Sequence, residues 1–445
     1  MEFLPDFGNL LYTIVAFILA LSVIVTVHEY GHYIIGRLCG IKAEAFSIGF
    51  GPTLISRTDK HGTVWKLSAI PAGGYVKFLG DANAASANPD EGKMASLSPA
   101  ERRQTMHGAP LWARAATVAA GPVFNFILSI FVFGAAIWWQ GTAVEPPRVA
   151  EIVALPQGSG DLRPGDAVLA IEGVDLPDYS AVMDIPTPNT PFLTYRINRD
   201  GTDMEVKGPQ IAPPRADMVV PQSAGYEAGL QTGDVITAID GQEIWRFEDI
   251  VAAVDAGEGA PLDLQIWRPG EDGAGETLDI TLAPKIIDIP QADGSFESDY
   301  KIGLMAGMGF SPQTERGGAG AALVNGAKQT WMTVTASVSA IENMVLGNIS
   351  SCNLRGAIGI AEGSAAAAKS GVADFIWFIA LLSTAVGFIN LMPIPVLDGG
   401  HLMFHVWEAV TGKPPSDRVM SMLVSVGLAL VLSLMAFGLW NDLSC

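Results

Sequence analysis

The sequence is poor in charged residues, which make up 16% of its 445 positions. Soluble domains typically carry about 25% charged residues. The deficit argues against an ordinary soluble protein and indicates a membrane protein with a soluble part. Basic residues are especially scarce, with 26 Lys and Arg against 46 Asp and Glu. We therefore expect no nucleic acid partner, because binding to nucleic acid requires a basic face.

Two further absences concern cysteine and the N-terminal segment. Cys39, Cys352 and Cys445 lie far apart and form neither a CxxC pair nor a disulfide framework, so we expect no role for them. No Lys or Arg precedes Arg37. The first hydrophobic stretch therefore lacks the basic region of a cleavable signal peptide.

Four hydrophobic segments are long enough to cross a membrane as helices. They lie at about 10–35, 112–139, 375–392 and 419–440. The sequence therefore predicts a polytopic α-helical membrane protein with four transmembrane helices.

The distribution of Lys and Arg predicts how these spans are oriented. The loop 36–111 holds nine basic residues, whereas the segment before the first span and the tail after the last hold none. Both termini are therefore expected outside the cytoplasm, together with residues 141–369. This exported stretch contains 14 basic and 32 acidic residues, a balance that keeps it soluble and away from anionic lipid.

The exported stretch contains an internal repeat. The pattern Leu-x-x-Gly-Asp-x-(Val/Ile)-x-x-Ile-(Glu/Asp)-Gly occurs at 162–173 and again at 230–241. In each copy a Gly-Asp turn leads into a half-buried strand. The pattern resembles PDZ domains, small β-rich folds that can bind an extended peptide as an added strand. We expect peptide binding or steric gating here, with pure spacing as the alternative.

Between the first two spans, residues 45–81 change character. Alternating segments such as Val64–Leu67 and Gly74–Gly80 predict short strands joined by turns. Because they follow the first span directly, we expect a membrane-associated, re-entrant β region. Irregular backbone at that depth is tolerated only inside protein or beside a water-filled cavity.

The first span contains the run His28-Glu29-Tyr30-Gly31-His32. Residues four apart share one face of a helix, so His28 and His32 can bind one metal ion together. A catalytic zinc usually has three protein ligands and a water, and Glu29 is placed to accept a proton from that water. Ionisable groups inside an apolar helix are functional by default. The alternatives are a polar packing cluster and a proton relay.

A third metal ligand has to come from elsewhere, and the end of the third span supplies a candidate. Pro393 and Pro395 break the helix there, and Asp398 follows on what we expect to be unwound chain beside two glycines. A carboxylate at that depth needs a partner such as a metal ion. His401 is the alternative ligand, or otherwise a residue that supports the ligands or an interface.

These motifs resemble those of the site-2 proteases, a family of intramembrane zinc metalloproteases. The resemblance rests on HExxH in the first span and on Asn-x-x-Pro-x-Pro-x-Leu-Asp-Gly at 390–399, and it extends to 74–77 and 121–125. Four spans with a tandem PDZ insertion between the second and third resemble the RseP-like branch. One departure is Leu354-Arg355-Gly356-Ala357, where the family often has Leu-Ser-Gly-Pro. We expect that loop not to touch the metal site.

The resemblance implies one Zn²⁺ per chain, held by His28, His32 and Asp398, with Glu29 as the catalytic base. It also implies a set of residues that contact the substrate. These are Gly74, Tyr75, Val76, Asn390, Pro393 and Pro395. For Asn390 the alternative is a cap on backbone groups freed beside the first proline.

We expect five parts along the chain. They are an N-terminal membrane part (1–140), a first PDZ-like domain (141–215), a second PDZ-like domain (216–285), a linker with an amphipathic membrane-surface segment (286–372) and a C-terminal membrane part (373–445). The resemblance implies a bacterial inner membrane, with both termini and the PDZ-like domains on the periplasmic side. The active site is expected to open toward the cytoplasm.

The expected function is hydrolysis of a peptide bond within the transmembrane segment of single-pass membrane proteins. In the family such substrates include anti-sigma factors after a first cut and remnants of signal peptides. The PDZ-like domains would filter substrates by the size of their exported part. Expected partners are these substrates, peptide or protein termini at the PDZ-like domains, and the lipid bilayer.

Two other functions compete with proteolysis. A metal or proton transporter would use the buried His and Glu, but four spans without an inverted repeat fit it poorly. A non-catalytic membrane adaptor would bind peptides through the PDZ-like domains. The adaptor leaves HExxH and Asp398 without a purpose.

Overall fold

The structure is a computed structural model that describes residues 7–82, 90–176, 182, 185–220, 223–270, 275–290 and 296–444. The chain divides into two compact units. The first comprises Met1–Ile137, Ala319–Glu342 and Ser351–Cys445, and the second comprises Trp138–Gly318 and Asn343–Ser350.

Helices dominate the first unit and strands the second. The helices are α1 (Phe7–Leu38), α2 (Glu91–Ser96), α3 (Pro99–Arg102), α4 (Leu111–Gln140), α5 (Ala224–Glu227), α6 (Phe247–Gly257), α7 (Ala319–Leu346), α8 (Ala357–Ser370), α9 (Val372–Asn390), α10 (Asp398–Thr411) and α11 (Asp417–Ser444). The strands are β1 (Ala43–Thr58), β2 (Val64–Phe78), β3 (Thr142–Ala143), β4 (Val149–Ile152), β5 (Ala167–Ile171), β6 (Val174–Asp175), β7 (Leu193–Arg199), β8 (Thr202–Gly208), β9 (Ala216–Val219), β10 (Val235–Ile239), β11 (Gln242–Glu243), β12 (Leu262–Pro269), β13 (Gly275–Leu282), β14 (Lys285–Pro290), β15 (Phe296–Lys301), β16 (Leu304–Ala306), β17 (Phe310–Pro312) and β18 (Thr314–Glu315).

Four of the described helices are long and apolar enough to cross a membrane. The candidate spans are Leu10–Leu38, Leu111–Gln140, Val372–Asn390 and Arg418–Ser444, with mean hydropathy between 2.0 and 2.7. Their number agrees with the prediction from sequence, and their ends differ from it by a few residues. The chain is therefore a multi-pass membrane protein.

Small residues let the helices of the first unit approach closely. A Cβ added at Gly31 of α1 would lie 2.5 Å from the carbonyl oxygen of Ala120 in α4, a spacing that only glycine allows. Against α9, α1 packs Ile24 on Ile379, and both side chains are buried. Close packing of this kind replaces the hydrophobic effect as the cohesive force between helices in lipid.

The strands predicted between the first two spans are present, and they are longer and bent. Residues 45–48 of β1 pair with 64–67 on one side and with 74–77 on the other, while 53–58 pairs with 64–68. The order of segments is therefore 53–58, 64–68, 45–48 and 74–77. Within the described residues, this order leaves segment 74–77 with one edge unpaired by strands.

Each copy of the sequence repeat leads into a four-stranded sheet in the second unit. The two sheets have equivalent orders, β6-β5-β7-β8 and β11-β10-β12-β13. The repeated aspartates make equivalent ion pairs: buried Asp166 binds Arg199 at 2.7 Å, and buried Asp234 binds Arg268 at 2.8 Å. The repeat is thus one of structure as well as sequence, and the PDZ-like identity of each copy stays a prediction.

The two cores of this unit also take residues from beyond the second repeat. Phe310 lies in the first core and Ile302 in the second. Strand β17 pairs with β4, and β16 pairs with β9. The ranges 141–215 and 216–285 stay predictions, and part of the expected linker contributes strands here.

One cysteine departs from expectation. Cys352 lies in a short 3₁₀ helix, Ser351–Asn353, and is disulfide-bonded, whereas Cys39 is free. Cys445 lies outside the described residues. The prediction that no cysteine forms a disulfide is wrong for Cys352. The spacing of the cysteines along the sequence does not predict this disulfide, because the contact depends on the fold. The end of α11 lies against the 3₁₀ helix, where Asn441 Nδ2 donates a hydrogen bond to the Ser351 carbonyl oxygen.

Candidate metal centre

The histidines predicted to bind metal lie on one face of α1. His28 and His32 are one turn apart, with their Nε2 atoms 3.1 Å from each other and their ring centroids at 4.7 Å. His28 is 9% exposed. The continuous apolar run of the first span forms the helix, and the four-residue spacing then places one imidazole above the other.

Asp398 reaches the histidines because the chain breaks between α9 and α10. Pro393 and Pro395 lie in this break, where the helix cannot continue. Asp398 was predicted to lie on unwound chain, and this prediction is wrong. It is the first residue of α10. Its negative charge suits the positive end of the helix dipole. The chain turns tightly here, since a Cβ added at Gly399 would lie 2.2 Å from the carbonyl oxygen of Met392.

Three ligand atoms converge at this point. Asp398 Oδ2 lies 3.1 Å from His28 Nε2 and 3.6 Å from His32 Nε2. Ligand atoms around a tetrahedral zinc, each about 2.0–2.1 Å from the ion, stand roughly 3.3 Å apart. The spacing and the set of two nitrogens and one oxygen therefore fit a catalytic zinc with one position left for water.

The environment of Asp398 also favours a cation. Its Oδ2 is buried without a hydrogen-bond partner among the described residues. A buried, unpaired carboxylate oxygen is costly. A metal ion bound by all three side chains removes that cost.

His401, the alternative third ligand, lies apart from this group. It lines the same cavity as the other residues. Within the described part of the chain, His28, His32 and Asp398 alone bring three ligand atoms within 4.8 Å of one another.

Helix α4 holds the ring nitrogens that face away from the three-atom cluster. His32 Nδ1 lies 2.8 Å from the Thr117 carbonyl oxygen, and His28 Nδ1 lies 3.2 Å from Asn125 Nδ2. Gly121 leaves room for the imidazoles, because a Cβ there would lie 2.3 Å from His32 Nε2. No role was predicted for these α4 residues from the sequence. One signal was available, since the three polar or small residues recur every four positions inside an apolar span.

Glu29, the predicted base, contacts the unpaired edge of β2. Its Oε2 accepts a hydrogen bond from the Val76 N–H at 3.0 Å. A Cβ added at Gly74 would lie 3.6 Å from Glu29 Cγ, and Tyr75 stacks on Phe50. All three predicted strand residues, 74–76, line the cavity at the metal-binding cluster.

The predicted substrate residues near the α9–α10 break differ in position. Asn390 lines the cavity, and its Nδ2 donates to the Val386 carbonyl oxygen at 3.0 Å. Part of its amide therefore bonds to helix backbone one turn earlier, and both roles expected for Asn390 stay predictions. Pro393 and Pro395 are not among the described residues that line the cavity. Pro395 packs instead toward α11, 3.1 Å from where a Cβ of Gly427 would lie.

The cluster opens into a cavity of about 910 Å³. Its polar lining includes His401, His405 and an ion pair between Arg114 Nη2 and Glu408 Oε1 at 2.6 Å. Burial, followed by the charge of Arg114, lowers the pKa of His405 to about 4, so this ring is neutral at pH 7. Such a cavity has room for water and an extended peptide beside the cluster.

Comparison with known proteins agrees with this centre. The model of peptidase family M50 matches residues 16–434. A Rhizobium meliloti (strain 1021) protein named as a zinc metalloprotease is 35% identical over 437 residues, which cover 98% of this chain and 97% of that protein. The regulator of sigma-E protease RseP of Escherichia coli (strain K12) is 34% identical over 477 residues, covering 98% and 99%. These matches favour the protease over a transporter or an adaptor. The chain belongs to peptidase family M50, the site-2 proteases, and is a zinc metalloprotease.

Proposed function

We propose that this metalloprotease hydrolyses a peptide bond within the transmembrane segment of single-pass membrane proteins. The observation that carries the proposal is the position of the cluster. His28 and His32 lie inside the candidate span Leu10–Leu38 and meet Asp398 shortly after the span Val372–Asn390. A metal centre built by membrane helices is suited to bonds at membrane depth.

In this proposal His28, His32 and Asp398 hold the zinc, and Glu29 is the catalytic base. When bound, zinc supplies a Lewis acid that activates water and polarises the scissile carbonyl. Glu29 accepts a proton from the attacking water and passes it to the leaving nitrogen. The Val76 N–H holds one carboxylate oxygen and so orients the base.

The unpaired edge of segment 74–77 is proposed to bind the substrate backbone as an added strand. A transmembrane helix keeps its carbonyls in internal hydrogen bonds, so it must unwind before attack, and pairing replaces those bonds. Alternate residues of a strand direct their backbone N–H and C=O groups to the same edge. The backbone groups of Gly74 and Val76 therefore both face the unpaired edge. The Val76 N–H already donates to Glu29 and is not available to the substrate. The pairing with the substrate strand therefore ends at Val76, which places the scissile bond beside Glu29.

Asn390 is proposed to contribute a further hydrogen bond to the substrate from the cavity wall. Its Nδ2 bonds to Val386, so the contact would use the remaining hydrogen-bonding capacity of the amide. Pro393 and Pro395 act in this proposal by ending α9 and thereby placing Asp398. Direct contact of either proline with substrate stays a prediction.

The proposed substrates are anti-sigma factors that have been cut once and remnants of signal peptides. The name of the Escherichia coli relative, a regulator of sigma-E protease, supports the first class. Residues 141–285 are proposed to exclude substrates whose exported part is untrimmed, and to meet peptide or protein termini. Pairing of β3 with β18, Ala143 opposite Thr314, brings the start of this region together with the end of the strands that follow it.

We place the protein in the bacterial inner membrane, with both termini and residues 141–369 in the periplasm. The cavity then opens toward the cytoplasm. The disulfide at Cys352 supports this orientation, because disulfides persist in oxidising compartments. The nine basic residues of loop 36–111 support it independently.

The test compares purified wild type with Glu29→Gln on a single-pass substrate that has a short exported part. Zinc content is measured on both proteins. Loss of a general base lowers the rate by about 10²- to 10⁴-fold, and we expect about one zinc per chain to remain in both. Equal cleavage by the two proteins would remove Glu29 from the mechanism. Absence of zinc from both would contradict the metal centre.

A further inference from the structure

Asn125 faces a proposed metal ligand from inside the protein. Its side-chain amide lies 3.2 Å from His28 Nδ1, and the residue is 0% exposed. Its Oδ1 is buried without a hydrogen-bond partner among the described residues. The contact with His28 is the one hydrogen bond of this side-chain amide among the described residues.

The position of the imidazole proton decides which end of the amide must face His28. A neutral imidazole that binds a metal ion through Nε2 carries its proton on Nδ1. Nδ1 then donates, and Oδ1 is the only atom of the Asn125 side chain that can accept. The two ends of an amide have nearly the same shape, so Oδ1 can take the position 3.2 Å from Nδ1 without displacement of the side chain.

We infer that Asn125 is a positioning residue that holds His28 in its metal-binding tautomer by accepting the Nδ1–H through Oδ1. The inference rests on the proposed role of His28 as a ligand. His32 offers a parallel, since its Nδ1 lies 2.8 Å from the Thr117 carbonyl oxygen. Both acceptors belong to α4, two turns apart. Helix α1 therefore supplies the two histidine ligands, and α4 fixes their orientation.

The backbone around Asn125 is held firmly. Its carbonyl oxygen accepts hydrogen bonds from Ser129 Oγ and from Ser383 Oγ of α9, both at 3.0 Å. Hence the amide is fixed relative to α4 and α9, and its direction toward His28 does not depend on a mobile side chain. Ser129 also provides a control, because its hydroxyl bonds buried backbone without contacting the imidazole.

The test measures zinc affinity of the full chain in buffered zinc solutions. Asn125→Asp keeps the acceptor oxygens, Asn125→Leu keeps the approximate shape and removes every polar atom, and Ser129→Ala perturbs the same helix contact. Loss of such a supporting hydrogen bond typically weakens metal binding by about 10–100-fold. We expect that weakening in Asn125→Leu, whereas Asn125→Asp and Ser129→Ala stay near wild type.

Two results would overturn the inference. One is wild-type zinc affinity in Asn125→Leu. The other is equal weakening in Asn125→Asp and Asn125→Leu, which would mean that the amide acts as a donor. Wild-type zinc affinity in His28→Ala would instead contradict the proposed ligand, so the two failures are distinguishable.

A second measurement does not depend on whether the Asn125 variants fold, because it uses the wild-type protein. Wild type loaded with zinc and labelled with ¹⁵N-histidine contains six histidines, and the His28 signals are assigned by their absence in His28→Ala. We expect the His28 Nδ1 to carry a proton and its Nε2 to carry none. A proton on Nε2 in the zinc-loaded protein would contradict His28 as a ligand, whereas an Nδ1–H that makes no hydrogen bond overturns the inference.

Discussion

The backbone N–H of Val76 donates to Oε2 of Glu29 across 3.0 Å. This bond joins the unpaired edge of β2, where substrate is proposed to bind, to the proposed catalytic base. Substrate pairing and orientation of the base therefore depend on the same short stretch of backbone. No ordinary change of side chain removes that N–H, and only proline does.

Val76→Pro tests this link, with Val76→Ala as its matched control. Both variants lose the buried valine side chain, which is 4% exposed, but only proline loses the N–H. A hydrogen bond to a charged group contributes about 1.5–3 kcal/mol, so we expect kcat/KM to fall roughly 10- to 100-fold further in Val76→Pro than in Val76→Ala. Zinc content should not change. Similar kcat/KM in the two variants would show that the bond does not matter for catalysis.

Zinc content separates the third ligand from its alternative. We expect His32→Ala and Asp398→Ala to lose nearly all zinc, because each removes one of three converging ligand atoms. His401→Ala removes an imidazole from the same cavity but not from the cluster, so it should retain about one zinc per chain. Metal analysis of the purified proteins distinguishes the two candidates for the third ligand. Loss of zinc in His401→Ala with retention of zinc in Asp398→Ala would make His401 the ligand in place of Asp398.

Gly121→Ala should weaken zinc binding although residue 121 carries no ligand atom. The added methyl group would lie 2.3 Å from His32 Nε2 and 2.7 Å from His28 Nε2. Overpacking of this kind costs about 1–3 kcal/mol. If the two imidazoles move to make room, this cost corresponds to a zinc affinity that is lower by roughly 10- to 100-fold. The matched control is Gly320→Ala in α7, where a Cβ meets nothing within 4 Å. An unchanged affinity in Gly121→Ala would mean that α4 yields instead.

Excision of the inserted region tests size filtering. Strands β3 and β18 pair directly, Ala143 with Thr314 and Thr142 with Glu315, so residues 144–313 can be replaced by a short turn between them. We expect this variant to cleave a substrate with a long exported part almost as fast as one with a short part, whereas wild type prefers the short one. The same excision combined with Glu29→Gln controls for contaminating proteases. A preference equal to that of wild type would exclude a filter.

Some features could be predicted from sequence because their causes are local. Hydrophobic length predicts the four spans, and helix periodicity predicts that His28 and His32 share a face. The Gly-Asp repeat predicts two equivalent strand arrangements, since turn chemistry acts over a few residues. The ion pair of Asp166 with Arg199 was not predicted, because its partner lies 33 residues away and no local pattern indicates the pairing.

The sequence by itself determined that this chain crosses a membrane and carries HExxH in its first span. The tertiary structure decided which distant groups complete the centre. Asp398 meets His28 because two prolines end α9 and a new helix begins beside α1, and this result depends on packing between helices far apart in sequence. The same packing brings Asn125 to His28 and Val76 to Glu29. Such contacts follow from the close approach of helices at small residues, a property of the assembled fold that no short stretch of sequence contains.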